Sequence, residues 1–115
     1  MVLMRSKIIS SLFVCILSLG IYAKDEDVVI IDVRTVAEWN SGYLENAIHI
    51  PLNTIEKNIS LTEPDKNKEI FLYCRSGNRS GKATSILQNL GYKNVTNIGG
   101  IQSASKNLSI PIVTK

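Results

Sequence analysis

The order of apolar patterns in this chain predicts an α/β fold, a mostly parallel central sheet with helices on both faces. Three observations carry that expectation. The continuous β-branched run Val28-Val29-Ile30-Ile31 lacks the alternation of a half-exposed strand and reads as a strand covered on both sides. Helical signals separate the strand-like runs, so crossovers join successive strands and the strands lie parallel. The alternation passes once through the chain, with no internal repeat, low-complexity tract or second domain.

The first strand ends in Asp32-Val33-Arg34. Thr35-Val36-Ala37-Glu38 has the spacing of a capping box and Gly42 is a natural stop, so a short helix is expected over 35–41, with Trp39 towards the core. Ala47-Ile48-His49-Ile50 is a second short strand closed by Pro51. Asn53, followed three residues later by Glu56, repeats the cap signature and predicts a helix opening there. Pro64-Asp65-Lys66-Asn67 is a polar turn. A third strand over 69–73 delivers Cys74 at its carboxyl end. Ala83, Ile86, Leu87 and Leu90 then fall at helical spacing, and Gly91 stops that helix. Asn94-Val95-Thr96-Asn97-Ile98 is a fourth strand, followed by Gly99-Gly100. One helical turn over 101–106 is expected before Pro111 and a polar tail.

The start of the chain reads differently. Arg5 and Lys7 precede an uncharged, mostly apolar run from Ile8 to Leu19, and Gly20-Ile21-Tyr22-Ala23 leads into Lys24-Asp25-Glu26-Asp27. A basic start, an apolar stretch short for a bilayer span and a small residue before charges describe a signal peptide over 1–23, cleaved after Ala23. The competing reading is an uncleaved membrane anchor. Val14 before Cys15 is not small, which argues against a lipid attachment site. Removing 23 of the 115 residues leaves 92, residues 24–115, enough for one small domain. The formal charge is +3, and without Arg5 and Lys7 it is +1, so nothing in it points to nucleic acid. The expectation is a periplasmic monomer, free of the membrane after cleavage.

Cys74 is the one cysteine left beyond the signal, so no internal disulfide can form. Its setting favours chemistry. In Cys74-Arg75-Ser76-Gly77-Asn78-Arg79-Ser80 an apolar strand ends on the thiol and a helical pattern follows a short loop. The helix start supplies unpaired N–H groups and the positive end of a dipole, and two arginines add fixed charge. Both favour thiolate over thiol, lowering a pKa that is about 8.5 in a free cysteine. The same groups cradle an anion. Ligands of open parallel sheets bind beyond the carboxyl ends of the strands, where Cys74 lies. The plain alternative is a small buried hydrophobe followed by solvated arginines. Crowding of Gly and two Arg directly after the cysteine favours the functional reading.

Four blocks extend the pattern: Ile31-Asp32-Val33-Arg34 with Glu38-Trp39, the run from Gly42 to Leu52, the loop from Cys74 to Ser80, and Gly91 to Val95 leading to Gly99-Gly100. In order and spacing they resemble the rhodanese domain over nearly all of residues 27–101. The resemblance implies transfer of sulfane sulfur without a cofactor. A thiolate takes the outer sulfur of a donor such as thiosulfate, holds it as a persulfide and passes it to cyanide or another thiophile. By matching position, Cys74 would carry the persulfide. Arg75 and Arg79, with the backbone amides of Ser76, Gly77, Asn78, Arg79 and Ser80, would bind the donor anion. The implied partners are a small-molecule sulfur donor and a thiophilic acceptor, which could be a protein. Tyr43 stands where the family often has His, Asn46 where it often has Gly, and Ile101 where Trp or Phe is common. These are packing and turn positions, and they bear on the donor pocket more than on the chemistry.

Two other functions compete. Cysteine-dependent phosphatases and arsenate reductases also set a thiolate before a helix. Their signature has five residues between Cys and Arg, where this chain has four between Cys74 and Arg79. Arsenate reduction further needs a resolving thiol. A non-enzymatic persulfide carrier or binding module is the third reading. His49, the only histidine, reads as structural, because a thiolate stabilised by charge needs no base. Asp32 and Arg34 read as structural, pairing with backbone or with each other near the site, and Tyr73 with Trp39 as core. One His and one Cys are too few for a metal site. The export reading predicts that protein recovered from the periplasm begins at or near Lys24 by N-terminal sequencing. An intact Met1 on a membrane-bound form would establish the anchor instead.

Overall fold

The structure, a computed structural model, describes residues 28–115; the expected signal segment lies outside the described residues. The elements are β1 (Val28–Asp32), α1 (Val36–Asn40), β2 (Tyr43–Leu44), β3 (Ile48–His49), α2 (Leu52–Thr62), β4 (Glu69–Cys74), α3 (Asn78–Asn89), β5 (Asn94–Gly100), α4 (Ile101–Leu108) and β6 (Ile112–Val113). Strands β3-β1-β4-β5 form a parallel sheet in that order, and β2 pairs antiparallel with β6 in a separate ribbon. The α/β class with a mostly parallel central sheet is as the sequence predicts.

Strand parity positions the site. Along β4, Ile70, Leu72 and Cys74 enter one core with Ile55 and Ile59 of α2 and Ala83 and Leu87 of α3. Tyr73 points to the opposite core, with Leu44 and with Ile101 and Ala104 of α4. Helices therefore cover both faces, and the sulfur of Cys74 lies on the side that α3 covers.

Several local expectations are corrected. Asn53 does not cap α2: the helix starts at Leu52 behind Pro51, and no side chain caps it. Proline at a helix start supplies a fixed φ in place of a cap bond. Trp39 is half-buried rather than in the core, stacked on Tyr43 at 3.8 Å and on His49 at 4.8 Å between ring centroids. The polar tail holds β6, whose Ile112 and Val113 pair with Leu44 and Tyr43. The last helix runs for 8 residues instead of one turn. Other details follow the sequence closely. Thr35 and Glu38 form the capping box, and Asn46 adopts a left-handed φ of 70°, which suits a position where the resembling family often has glycine.

Gly100, at the end of β5, lies opposite Cys74 and against the loop after it. A Cβ there would lie 2.4 Å from the Arg75 carbonyl oxygen and 3.3 Å from the Ser76 Cα. Both neighbours are backbone, so the loop itself would have to move. Gly100→Ala should lower stability by about 1–3 kcal/mol, the usual cost of overpacking. It should also shift the pH midpoint of Cys74 alkylation towards that of a free thiol. Denaturation curves and alkylation midpoints equal to those of the unaltered protein would show that strand and loop do not press on each other.

Candidate active site

Cys74 has no contact with solvent, yet it lies close under the surface rather than at the centre of the core. From it the chain turns through Arg75 and Ser76 to Gly77, whose φ of +100° is a left-handed conformation that glycine adopts without strain. That turn aims the start of α3 back at the sulfur. The Gly77 N–H donates to Cys74 Sγ at 3.0 Å, and the Ser80 N–H and Ser80 Oγ each lie 3.4 Å from it. Burial is the largest influence on the thiol and pushes its pKa up. The Ser80 hydroxyl and the amides of Ser80, Ser76 and Gly77 together outweigh it and lower the pKa to about 7. The backbone cradle expected from the sequence is thus built around the sulfur itself.

The two arginines divide. Arg79 turns to Glu38, with Nη1 and Nη2 donating to its two carboxylate oxygens at 2.7 and 2.9 Å. The Arg79 hydrogen bonds, helped by donors on Thr35, hold Glu38 well below the usual carboxylate range. Arg79 still acts on the thiolate through its charge, but as a braced neighbour. Arg75 is exposed, and its side chain makes no hydrogen bond or ion pair among the described residues. Ser76 and Asn78 are exposed beside it.

Asp32 and Arg34 pair with each other, and Arg34 also bonds backbone. Arg34 Nε and Nη2 donate to the Asp32 carboxylate at 2.7–3.1 Å, Nη2 also donates to the Gly42 carbonyl at 2.6 Å, and both residues are buried. The Tyr73 hydroxyl accepts from the Leu44 N–H at 3.0 Å, and burial together with Asp32 keeps its phenol far above the ordinary range. His49 Nε2 donates to the Arg34 carbonyl at 2.7 Å and is not among the Cys74 contacts. Among the described residues no group of three or more His, Cys, Asp or Glu could hold a metal.

Sequence reasoning missed Asn97 as a site residue. Its Nδ2 donates to the Gly77 carbonyl at 3.0 Å, while its Oδ1 accepts from the Gly99 N–H at 2.9 Å and from Ser80 Oγ at 2.7 Å. In the sequence it is one more polar residue in a strand, and nothing local marks it.

Comparison with known proteins agrees with this geometry. Residues 21–107 match the family described as Rhodanese-like domain. The chain belongs to the rhodanese family. The thiosulfate sulfurtransferase PspE of Escherichia coli K12 is 37% identical over 83 residues, covering 72% of this rhodanese and 76% of that protein. A sulfurtransferase of Allochromatium vinosum is 37% identical over 91 residues, covering 79% and 83%. The structure of a rhodanese with anions from E. coli aligns with a TM-score of 0.69 at 35% identity, over 76% of this chain and 99% of that one. A tRNA uridine(34) hydroxylase of Erwinia tasmaniensis is 35% identical over 80 residues, but the match spans 23% of that enzyme. The family domain also occurs inside larger proteins.

With the thiol lowered to about 7, this rhodanese should be about half ionised at neutral pH. Alkylation of Cys74 by iodoacetamide should rise with pH and reach half its maximum near pH 7. A midpoint near the free-cysteine value of about 8.5 would show that the loop donors do not offset burial.

Proposed function

We propose that this rhodanese is an exported thiosulfate sulfurtransferase that stores the transferred sulfur on Cys74. The observation that carries the reading is the convergence of the Gly77 and Ser80 donors on a buried sulfur whose pKa is lowered to about 7. Relatives described as sulfurtransferases support it. In the first half-reaction the Cys74 thiolate attacks the outer sulfur of thiosulfate. The new S–S bond forms as the old one breaks, and its electron pair leaves with sulfite. In the second, cyanide or another thiophile attacks the terminal persulfide sulfur, thiocyanate departs in the case of cyanide, and the thiolate returns. Charge balances in both steps, and neither needs a proton donor or a cofactor.

Arg75 and the amides at the start of α3 receive the oxyanion end of the donor. Arg79, held by Glu38, supplies a fixed positive field. The basic and apolar pattern of residues 1–23 supports export to the periplasm. There the protein would act as a monomer on a small-molecule donor, with a small thiophile or a partner protein as acceptor.

Intact mass before and after thiosulfate tests the reading. Thiosulfate should add the mass of one sulfur atom, cyanide should remove it with release of thiocyanate, and Cys74→Ser should do neither while remaining folded. A carrier without turnover would gain the sulfur but release it slowly to cyanide. A phosphatase would hydrolyse an aryl phosphate and gain none. Protein that never acquires the added mass, while its thiol remains titratable, would sink the sulfurtransferase reading.

A further inference from the structure

Ser80 has one hydroxyl proton and two acceptors within reach. Its Oγ lies 2.7 Å from Asn97 Oδ1 and 3.4 Å from Cys74 Sγ. The Asn97 amide cannot turn its nitrogen to Ser80, because both ends are fixed. The Gly99 N–H donates to Oδ1 at 2.9 Å, and Nδ2 donates to the Gly77 carbonyl at 3.0 Å. Oδ1 therefore faces Ser80 as an acceptor only, and the short contact requires Ser80 to donate. While Cys74 is a thiol, the hydroxyl proton lies towards Asn97 and the Ser80 lone pairs face the sulfur. A thiolate is stabilised only by a hydroxyl turned towards it, and that turn gives up the Asn97 bond.

We infer that Asn97 is a positioning residue that competes with the Cys74 thiolate for the Ser80 hydroxyl proton and so limits how readily Cys74 ionises. The Ser80 proton never leaves its oxygen; the proton that Cys74 loses goes to solvent. Ser80 is the strongest of the donors that lower the Cys74 thiol, so control of its hydroxyl is control of the largest favourable influence. Asn97 also braces Gly77, whose amide is the nearest donor to the sulfur.

The charged groups around the sulfur have other partners. Arg79 from α3 pairs with Glu38 of α1, Asp32 at the end of β1 pairs with Arg34, and Arg75 is exposed in the loop. Strand β5 brings no titratable side chain between Asn94 and Gly100, and the α2 residues that line a cavity with Arg79 are Leu52, Asn53 and Thr54. None of these pairs involves Asn97. Asn97 is itself exposed, so replacing it empties no core. The inference concerns ionisation of Cys74 and holds for whichever donor the thiolate attacks.

The test is the pH profile of iodoacetamide alkylation in Asn97→Ala, Ser80→Ala and the double variant. Asn97→Ala should move the midpoint down by about 0.5–1 pH unit, the worth of the neutral Ser80–Asn97 hydrogen bond that ionisation no longer has to break. Ser80→Ala should move it up. In the Ser80→Ala background, Asn97→Ala should change nothing, because no hydroxyl remains to be released. A midpoint that is unchanged or raised in Asn97→Ala overturns the inference. So does a fall that persists without Ser80, which would assign the effect to the Gly77 brace. Should Asn97→Ala lose its fold, Asn97→Val, a strand-favouring side chain without polar atoms, is judged by the same criteria. The thiosulfate-dependent mass change reports on sulfur transfer separately, so the two readings fail independently.

Discussion

The sulfur of Cys74 sits where solvent does not touch it and burial alone would keep it a neutral thiol, yet the donors around it lower its pKa to about 7. The local architecture answers that conflict. Alternation along β4 sends Cys74 to the face that α3 covers, and the left-handed turn at Gly77 points the start of that helix at the sulfur. Hydrogen bonds that would otherwise go to water then come from the Gly77 and Ser80 amides and the Ser80 hydroxyl. The loop can take this shape because Gly100 has no side chain to push against Arg75 and Ser76. The frame behind it is fixed by the buried Asp32–Arg34 pair, which ties the end of β1 to the Gly42 carbonyl. Losing one member would strand a buried charge, which is far costlier than losing an exposed pair.

Glu38 serves two structures at once. One of its carboxylate oxygens closes the capping box with the Thr35 N–H, and both oxygens receive Arg79 from α3. With its pKa held well below the usual carboxylate range, Glu38 is ionised throughout the pH span in which Cys74 titrates. Arg79 therefore stays anchored while the thiol changes charge. The positive charge of Arg79 beside the loop is then a fixed feature of the fold.

How much of this could be read in the sequence depended on the range of the interaction. The buried strands were visible because β-branched and aromatic runs have few other uses, and the Thr35–Glu38 box because its two residues are three apart. The Cys74 loop was visible because its chemistry is contiguous. The β2–β6 ribbon was not, since two residues per strand cannot display a period and Tyr43 and Val113 meet only in the folded chain. Asn53 imitated a cap, but Pro51 already fixed the entry to α2. Trp39 carried the apolar weight of a core residue, and it found Tyr43 and His49 as stacking partners on the flank instead. Arg79 was legible as a cation of the loop, but its ion pair was not, because Glu38 lies 41 residues away. Asn97 gave no sign at all, because its three contacts come from Gly77, Ser80 and Gly99 in the folded loop.

Loop length gives these contacts their sense. Four residues separate Cys74 from Arg79, and at that spacing Ser80 is the residue whose amide and hydroxyl both face the sulfur while Arg79 swings outward to Glu38. One residue more in the loop would change the distance from Cys74 to the start of α3, and with it the alignment of Ser80 on Sγ and of Arg79 on Glu38. A longer loop would also widen the cradle until the donors could surround a tetrahedral oxyanion. Here they close on the sulfur itself. The hydrogen bonds of this loop are directed at the Cys74 sulfur, and the proposed persulfide chemistry rests on that direction.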